Sequence, residues 1–416
     1  MGIFKGQKKI LALTDYSCAC TVRWTDSLNP RFCGCSIYIY NFLIVNKIVK
    51  ITLISTISFL LFDFFFGKKI INYYEKKKIY ITFNQNYKNN VINEKKFRKK
   101  NDIFSHTLSK NYQGISYFGN KAGNLCTDEN GFKSKCGNNI SNNNYDYVFI
   151  GDSFTEGVGL SHEKTFVGIF EESSKKKIAN LGVSSYSPII YFHKIKYFLE
   201  KDINMKHVIV FLDLSDIEDE LFREECEGKV CNKDLEAKKD FRSVKFAFNF
   251  KNFLQNDFQF TLLALQYLKR GFCKNILISG CSYVYDKNFE RSGWIQNFKK
   301  NISINGKYHE SFNQAIFYLD QIHETLDQKG IDFSLAIYPW PGNIFHNINT
   351  SDYQNYFQNY CKKKCKYFLN YFEDFDILVK NNGKNKVIKD YFFYGDMHYN
   401  EKGNYVIAKK LIDYLN

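Results

Sequence analysis

Two short segments at opposite ends of the chain carry residue types suited to acyl-transfer chemistry. The apolar run YVFIG (147–151) leads directly into Gly151-Asp152-Ser153-Phe154-Thr155-Glu156-Gly157. A serine just past a strand's carboxyl end, flanked by glycines and followed by a helix, presents its hydroxyl at the sheet edge. Backbone N–H groups at such a turn face any developing negative charge. Taken alone, the same serine also reads as a helix cap. Far downstream lies Gly395-Asp396-Met397-His398-Tyr399-Asn400, just before the last helical pattern. A carboxylate two residues from a histidine can orient the imidazole, and the imidazole can deprotonate a serine at neutral pH. A lone Asp-x-His also reads as a capped loop, so the two segments gain meaning from each other.

The elements that must bring them together alternate. Strands are expected at 147–151, 178–182, 207–215 and 332–339, and helices at 163–174, 189–201, 309–330 and 401–415. Run-like apolar strands separated by helices predict an α/β fold with a central parallel sheet covered on both faces, its chemistry at the carboxyl ends of the strands. The stretch 222–308 interrupts the alternation and reads as an insertion. The serine turn is not the G-x-S-x-G elbow, because Thr155 stands two residues after Ser153.

Together these residues resemble the SGNH (GDSL-type) hydrolase family over about residues 115–416. GDSFTEG is similar to its first block, and Asp128-Glu129-Asn130-Gly131-Phe132 resembles a lead-in found in many members. Asn180-Leu181-Gly182-Val183-Ser184-Ser185-Tyr186-Ser187 is similar to the second block. The final block reads D-x-H rather than D-x-x-H, as in the envelope-polysaccharide O-acetyltransferase branch, with Tyr399 where tryptophan often follows. The resemblance implies a three-layer α/β/α, flavodoxin-like domain over 106–416. It implies Ser153 as nucleophile, His398 as general base and Asp396 as orienting carboxylate, with the Ser153 and Gly182 N–H groups in the oxyanion hole. The third block departs from the family. Its G-x-N-D falls on Asp213-Leu214-Ser215-Asp216, so Ser215 replaces the oxyanion asparagine. Losing one such donor typically costs about 10²–10³ in rate. Ser215 could substitute in part, Asn343 could enter the site, or the protein could be a poor catalyst or a catalytically silent envelope-binding module. Asp213 places a carboxylate near the site or forms a solvated strand end. No cofactor or metal is implied. The expected substrate is an acyl ester of a small molecule, carbohydrate or lipid, with hydrolysis and O-acyl transfer both open.

The rest of the chain sets location. Residues 51–66, with FLIV at 42–45 leading in, form the most apolar run, and lysines flank it at 47, 50, 68 and 69. No small-residue cleavage site follows, so 43–67 is expected to be a retained transmembrane signal anchor. Residues 1–42 read as a disordered extension or an upstream start, and 68–105 as a basic tether. Flanking lysines slightly favour a cytoplasmic domain. The cysteines beyond the anchor, in close pairs 126/136, 226/231, 273/281 and 361/365, favour an oxidising compartment, and the domain is expected to face outward. The net charge of +15 does not read as a nucleic-acid footprint, because only seven of 58 basic residues are arginine and no motif accompanies them. The remaining histidines lack metal-ligand spacing, and there is no phosphate-cradling loop or dinucleotide fingerprint.

Overall fold

Five short strands rich in branched and aromatic residues form one parallel sheet: β1 (Tyr147–Gly151), β2 (Ile178–Asn180), β3 (His207–Leu212), β4 (Asp332–Ile337) and β5 (Phe368–Asn370). Their spatial order is β2-β1-β3-β4-β5, and every pairing is parallel. All six residues of β3 are buried. A strand buried at every position must be covered on both faces of its sheet, which explains why HVIVFL reads as a continuous apolar run rather than an alternation. This computed structural model describes residues 35–67, 96–118, 121–137, 143–233, 290–393 and 396–415, with positions 69, 70, 94, 257, 258, 260, 261 and 265.

The covering helices follow the expected spans closely. They include α1 (Phe166–Ser174), α2 (Pro188–Leu199), α3 (His309–Asp327) and α4 (Glu401–Leu415). Local chemistry sets their starts. The Thr165 hydroxyl accepts from the Gly168 N–H at 3.1 Å, Pro188 opens α2, and Asn400 Oδ1 accepts from the Lys402 and Gly403 N–H groups ahead of α4. Helix α1 packs on α4, and α2 packs on α3. Phe149 of β1 and Phe211 of β3 point to the same side, meeting Phe166 of α1 at ring separations of 6.4 and 4.5 Å.

In this strand order, β1 lies between β2 and β3, so the connections leave its two sides in opposite directions. The crevice between the carboxyl ends of β1 and β3 is the topological switch point, where open α/β sheets place ligands. Ser153 follows β1 and Asp213 follows β3, so the two segments flank that crevice.

Several boundaries differ from the sequence expectation. The helix Cys35–Phe62 begins inside the stretch expected to be a disordered extension and continues as a π-helical turn, Asp63–Gly67. Residues 1–34 lie outside the described residues. Within this helix, Lys47–Gly67 is 21 residues long with a mean hydropathy of 1.9, long and apolar enough to cross a membrane. The end of the expected tether is ordered: Arg98–Asn101 pairs antiparallel with Ser105–Leu108, and Phe97 is buried. The lysine-rich surface of that hairpin hides its inward residues from a composition argument. Of the expected cysteine pairs, 126–136 and 361–365 are disulfides, while Cys226 and Cys231 are free thiols on one hairpin. Cys273 and Cys281 lie outside the described residues, as does most of the insertion. Its described parts include that hairpin, Arg223–Cys226 with Lys229–Asn232, and short helices from Glu290 to Ile302.

Candidate active site

The turn after β1 is built by its neighbours so that Ser153 is left at the switch point. A Cβ on Gly151 would lie 2.2 Å from Thr155 Oγ1 and 2.9 Å from the Phe211 carbonyl, so only glycine fits this close approach. Asp152 caps the short helix Ser153–Glu156, its Oδ1 accepting from the Phe154 N–H at 2.9 Å. Gly157 closes that helix at φ +67°, in the left-handed region. Glu156 is buried and anchors the turn from behind. It takes two bonds of 3.1 Å from Arg98 and one of 2.7 Å from the Ser184 N–H.

The Asp396–His398 loop reaches this turn from the other end of the chain. His398 Nε2 lies 2.7 Å from Ser153 Oγ, and His398 Nδ1 lies 2.6 Å from Asp396 Oδ1. Asp396 Oδ1 also accepts from the His398 backbone N–H at 2.9 Å, so one carboxylate oxygen fixes both the loop and the ring. The imidazole packs against the rings of Phe154 and Phe118, at centroid distances of 4.6 and 4.7 Å. Burial alone would lower the His398 pKa; the Asp396 carboxylate, followed by Asp152 and Asp213, outweighs it and raises the pKa above the ordinary value. Burial works to raise Asp396, but the imidazole charge and hydrogen bonds hold its carboxyl below the usual range.

The structure thus brings Ser153, His398 and Asp396 together. The other two expected residues are near but engaged elsewhere. The Gly182 N–H donates to Asn180 Oδ1 at 3.0 Å, and a Cβ there would lie 2.6 Å from Thr155 Cβ and 2.7 Å from the Glu156 nitrogen. Glycine is required because the chain passes so closely behind the serine turn. The Ser215 hydroxyl and its N–H both donate to Asp213 Oδ1, at 2.6 and 2.8 Å. Asn343 is tied into its own loop, accepting from the Trp340 N–H and donating to the Ser292 carbonyl. Asp213 is fully buried rather than a solvated strand end.

Of the other groups at the site, the sequence singled out Asp213 as a nearby carboxylate and did not single out Asp152 or Asp216. The carboxylates of Asp152, Asp213 and Asp216 are buried, with one oxygen from each lying within 4.8 Å of the others. By donor type this is the grouping among the described residues that could hold a hard cation. Burial, then the Asp213 charge, pushes Asp152 up to about 7; burial, then Asp152, pushes Asp216 well above the carboxylate range. Trp340 Nε1 donates to Asp213 Oδ2 at 2.6 Å, and Tyr191 donates to Asp216 Oδ2 at 2.8 Å. Asp213 and Asp216 are visible as acidic letters, but only the parallel pairing of β1 with β3 places them beside Asp152.

The parallel sheet has the strand order 2-1-3-4-5, with a Gly-Asp-Ser turn after its first strand and an Asp-x-His loop before the last described helix. No family model matches the chain, and no curated protein matches it. Among solved structures it is similar to a G-D-S-L family protein from Desulfitobacterium hafniense DCB-2, at 13% identity and a TM-score of 0.34 over 65% of this chain and 99% of that one. It is also similar to a member of the lipolytic protein G-D-S-L family from Veillonella parvula DSM 2008, at 10% identity and a TM-score of 0.33 over 65% and 97%.

Proposed function

We propose that the chain is a membrane-anchored serine hydrolase acting on ester bonds. The observation that carries this reading is the continuous hydrogen-bonded chain Ser153–His398–Asp396 at the switch point. His398 Nε2 takes the Ser153 proton as Oγ attacks the ester carbonyl, and Asp396 steadies the imidazolium. The imidazolium then returns the proton to the leaving alcohol, and the acyl-enzyme passes its acyl group to water. The Ser153 N–H, at the first helical position, has no carbonyl within its own helix to bond and so is available as a donor to the oxyanion. The Gly182 N–H would serve only on release from Asn180, and the Ser215 hydroxyl only on release from Asp213.

The helix spanning Lys47–Gly67 supports anchoring, and the two disulfides support an extracytoplasmic domain. The substrate that fits this location is an acylated carbohydrate or lipid of the cell envelope. A second reading, O-acyl transfer to a polysaccharide hydroxyl, is favoured by the burial of the reacting pair. Ser153 is 8% exposed and His398 7%, and the Phe118 ring packs on His398, which limits the approach of water to an acyl-enzyme. Acyl-ester turnover with and without an added sugar acceptor separates the two. Release of free acid that the acceptor does not alter supports hydrolysis; acyl groups appearing on the acceptor support transfer. Loss of both in Ser153→Ala ties either reaction to the serine.

A further inference from the structure

Asp63 is the one acidic residue in the Lys47–Gly67 span, and it is fully buried. A carboxylate among phenylalanines at the end of a membrane-length helix is costly unless it is hydrogen-bonded. Both of its oxygens are. Oδ1 accepts from the Phe260 N–H at 2.9 Å and Oδ2 from the Thr261 N–H at 2.6 Å. These two residues belong to the insertion, 197 and 198 positions downstream. They are helical, as is Leu265, while Phe258 just before them is not. The first N–H groups of a helix have no partner within it, so Asp63 satisfies them from another part of the chain. Gly67 makes the room: a Cβ there would lie 2.1 Å from Asp63 Oδ1 and 3.4 Å from Phe260 Cδ2.

Ring contacts join the same two segments. Phe260 stacks on Phe62 at 6.3 Å, and Phe258 meets Phe64 at 5.7 Å. Phe62 and Phe64 stand near the end of the span, within about 8 Å of Gly67 at roughly 1.5 Å per residue. Residues that touch those rings share their depth, at the boundary between acyl chains and headgroups. The side chains around this junction suit that depth. Phe62, Phe64, Phe65 and Phe66 are 47–59% exposed, and Leu265 is 49% exposed. The sequence agrees: FQFTLLAL (258–265) carries no charge, and between 242 and 274 six lysines and arginines outnumber a single acidic residue, Asp257. An apolar, aromatic-rich segment with basic flanks complements an anionic headgroup layer.

We propose that the insertion segment at 257–265 is a second membrane-contacting element, seated on the end of the anchor helix by Asp63 and turned toward the surface of a lipid bilayer. The inference rests on the membrane-anchored reading above. The insertion is then fixed to the domain on either side of this segment and to the bilayer between. Upstream, Tyr318 of α3 donates to Glu225 Oε2 on the hairpin at 3.1 Å. Downstream, Trp294 Nε1 donates to the Leu214 carbonyl, beside Asp213 at the crevice, at 3.0 Å. One inserted stretch thereby links the rim of the reactive crevice to the membrane surface.

The experiment uses the full-length chain in vesicles of phosphatidylcholine and phosphatidylglycerol, doped with a phospholipid that carries a diazirine on its acyl chain near the glycerol. Irradiation attaches the lipid to neighbouring side chains, and mass spectrometry maps the adducts. Adducts at 257–265 together with adducts in 43–67 are expected. Adducts in 43–67 with none at 257–265 overturn the proposal and leave the anchor standing. Adducts in neither overturn the anchored reading itself, and the proposal with it. Asp63→Leu removes the acceptor and keeps the span apolar. Adducts at 257–265 should then fall about ten-fold or more while those in 43–67 persist, as the loss of two bonds to a charged group implies. Unchanged adducts at 257–265 in that variant overturn the seat on Asp63. Amide hydrogen exchange in the same vesicles is an independent readout: the Phe260 and Thr261 N–H groups are expected to exchange slowly in wild type and faster in Asp63→Leu. Fast exchange of both in wild type overturns the proposal. Should the variant fail to fold, the wild-type adducts and exchange decide the question.

Discussion

His398 packs against two phenyl rings and is tied at both nitrogens, so its position does not depend on substrate. Its raised pKa fixes the sign of the pH dependence: a general base works only when deprotonated, so esterase activity is expected to fall as pH drops, with its acid midpoint above 6.5. An acid midpoint below that value in a pH–rate profile would contradict the placement of Asp396, Asp152 and Asp213 around the ring. Asp396→Asn should lower activity by about 10³-fold or more, because it removes the partner that selects the tautomer. The serine and the Asp-x-His loop were legible in the sequence because each is a short local pattern. The grouping of Asp152 and Asp216 with Asp213 was not, although Asp213 itself read as a carboxylate near the site, because the grouping comes from the pairing of β1 with β3, and spacing along the chain does not encode it. Ser215 was legible as a departure, but that its hydroxyl is spent on Asp213 could be seen only in three dimensions.

Among the elements, the serine turn depends on close backbone approaches and on one buried ion pair. Gly182→Ala would drive a Cβ into Thr155 and the Glu156 nitrogen, and should destabilise the fold by about 1–3 kcal/mol while displacing the turn. Thermal denaturation reads this directly, with a lowered Tm expected. Arg98→Ala would leave Glu156 buried, with the Ser184 N–H remaining and its guanidinium partner gone, at a cost of about 3–5 kcal/mol. It follows that a chain beginning at residue 106 should be markedly less stable than one beginning near residue 90. The two Tm values check this, and equal values would return the domain boundary to the expected place. Helix and strand runs were readable from periodicity, since caps such as Thr165 and Asn400 and apolar strands such as β3 are local signals. The three-residue β5 was missed because FLN lies between two helices and is too short to show a pattern. The Arg98 hairpin was missed because its exposed lysines set the composition of the stretch.

At the scale of the whole molecule, an apolar helix leads into an α/β domain whose reactive crevice opens at one end of the sheet. Full-length protein should sediment with membranes, and deleting residues 35–67 should release it; a soluble full-length chain would count against the anchor. The α/β class was evident from strand–helix alternation, and the placement of the chemistry at the switch point follows from the strand order. The long apolar helix was legible from hydropathy alone, though it starts earlier, at Cys35. The central claim is that Ser153 is an activated nucleophile. The measurement that tests it most directly is fluorophosphonate labelling of the purified full-length protein, with the modified residue mapped by mass spectrometry. Label on Ser153, abolished by His398→Ala, is the predicted result. A folded protein that takes no label at Ser153 would contradict it and leave a chain that keeps the geometry of a hydrolase without its chemistry.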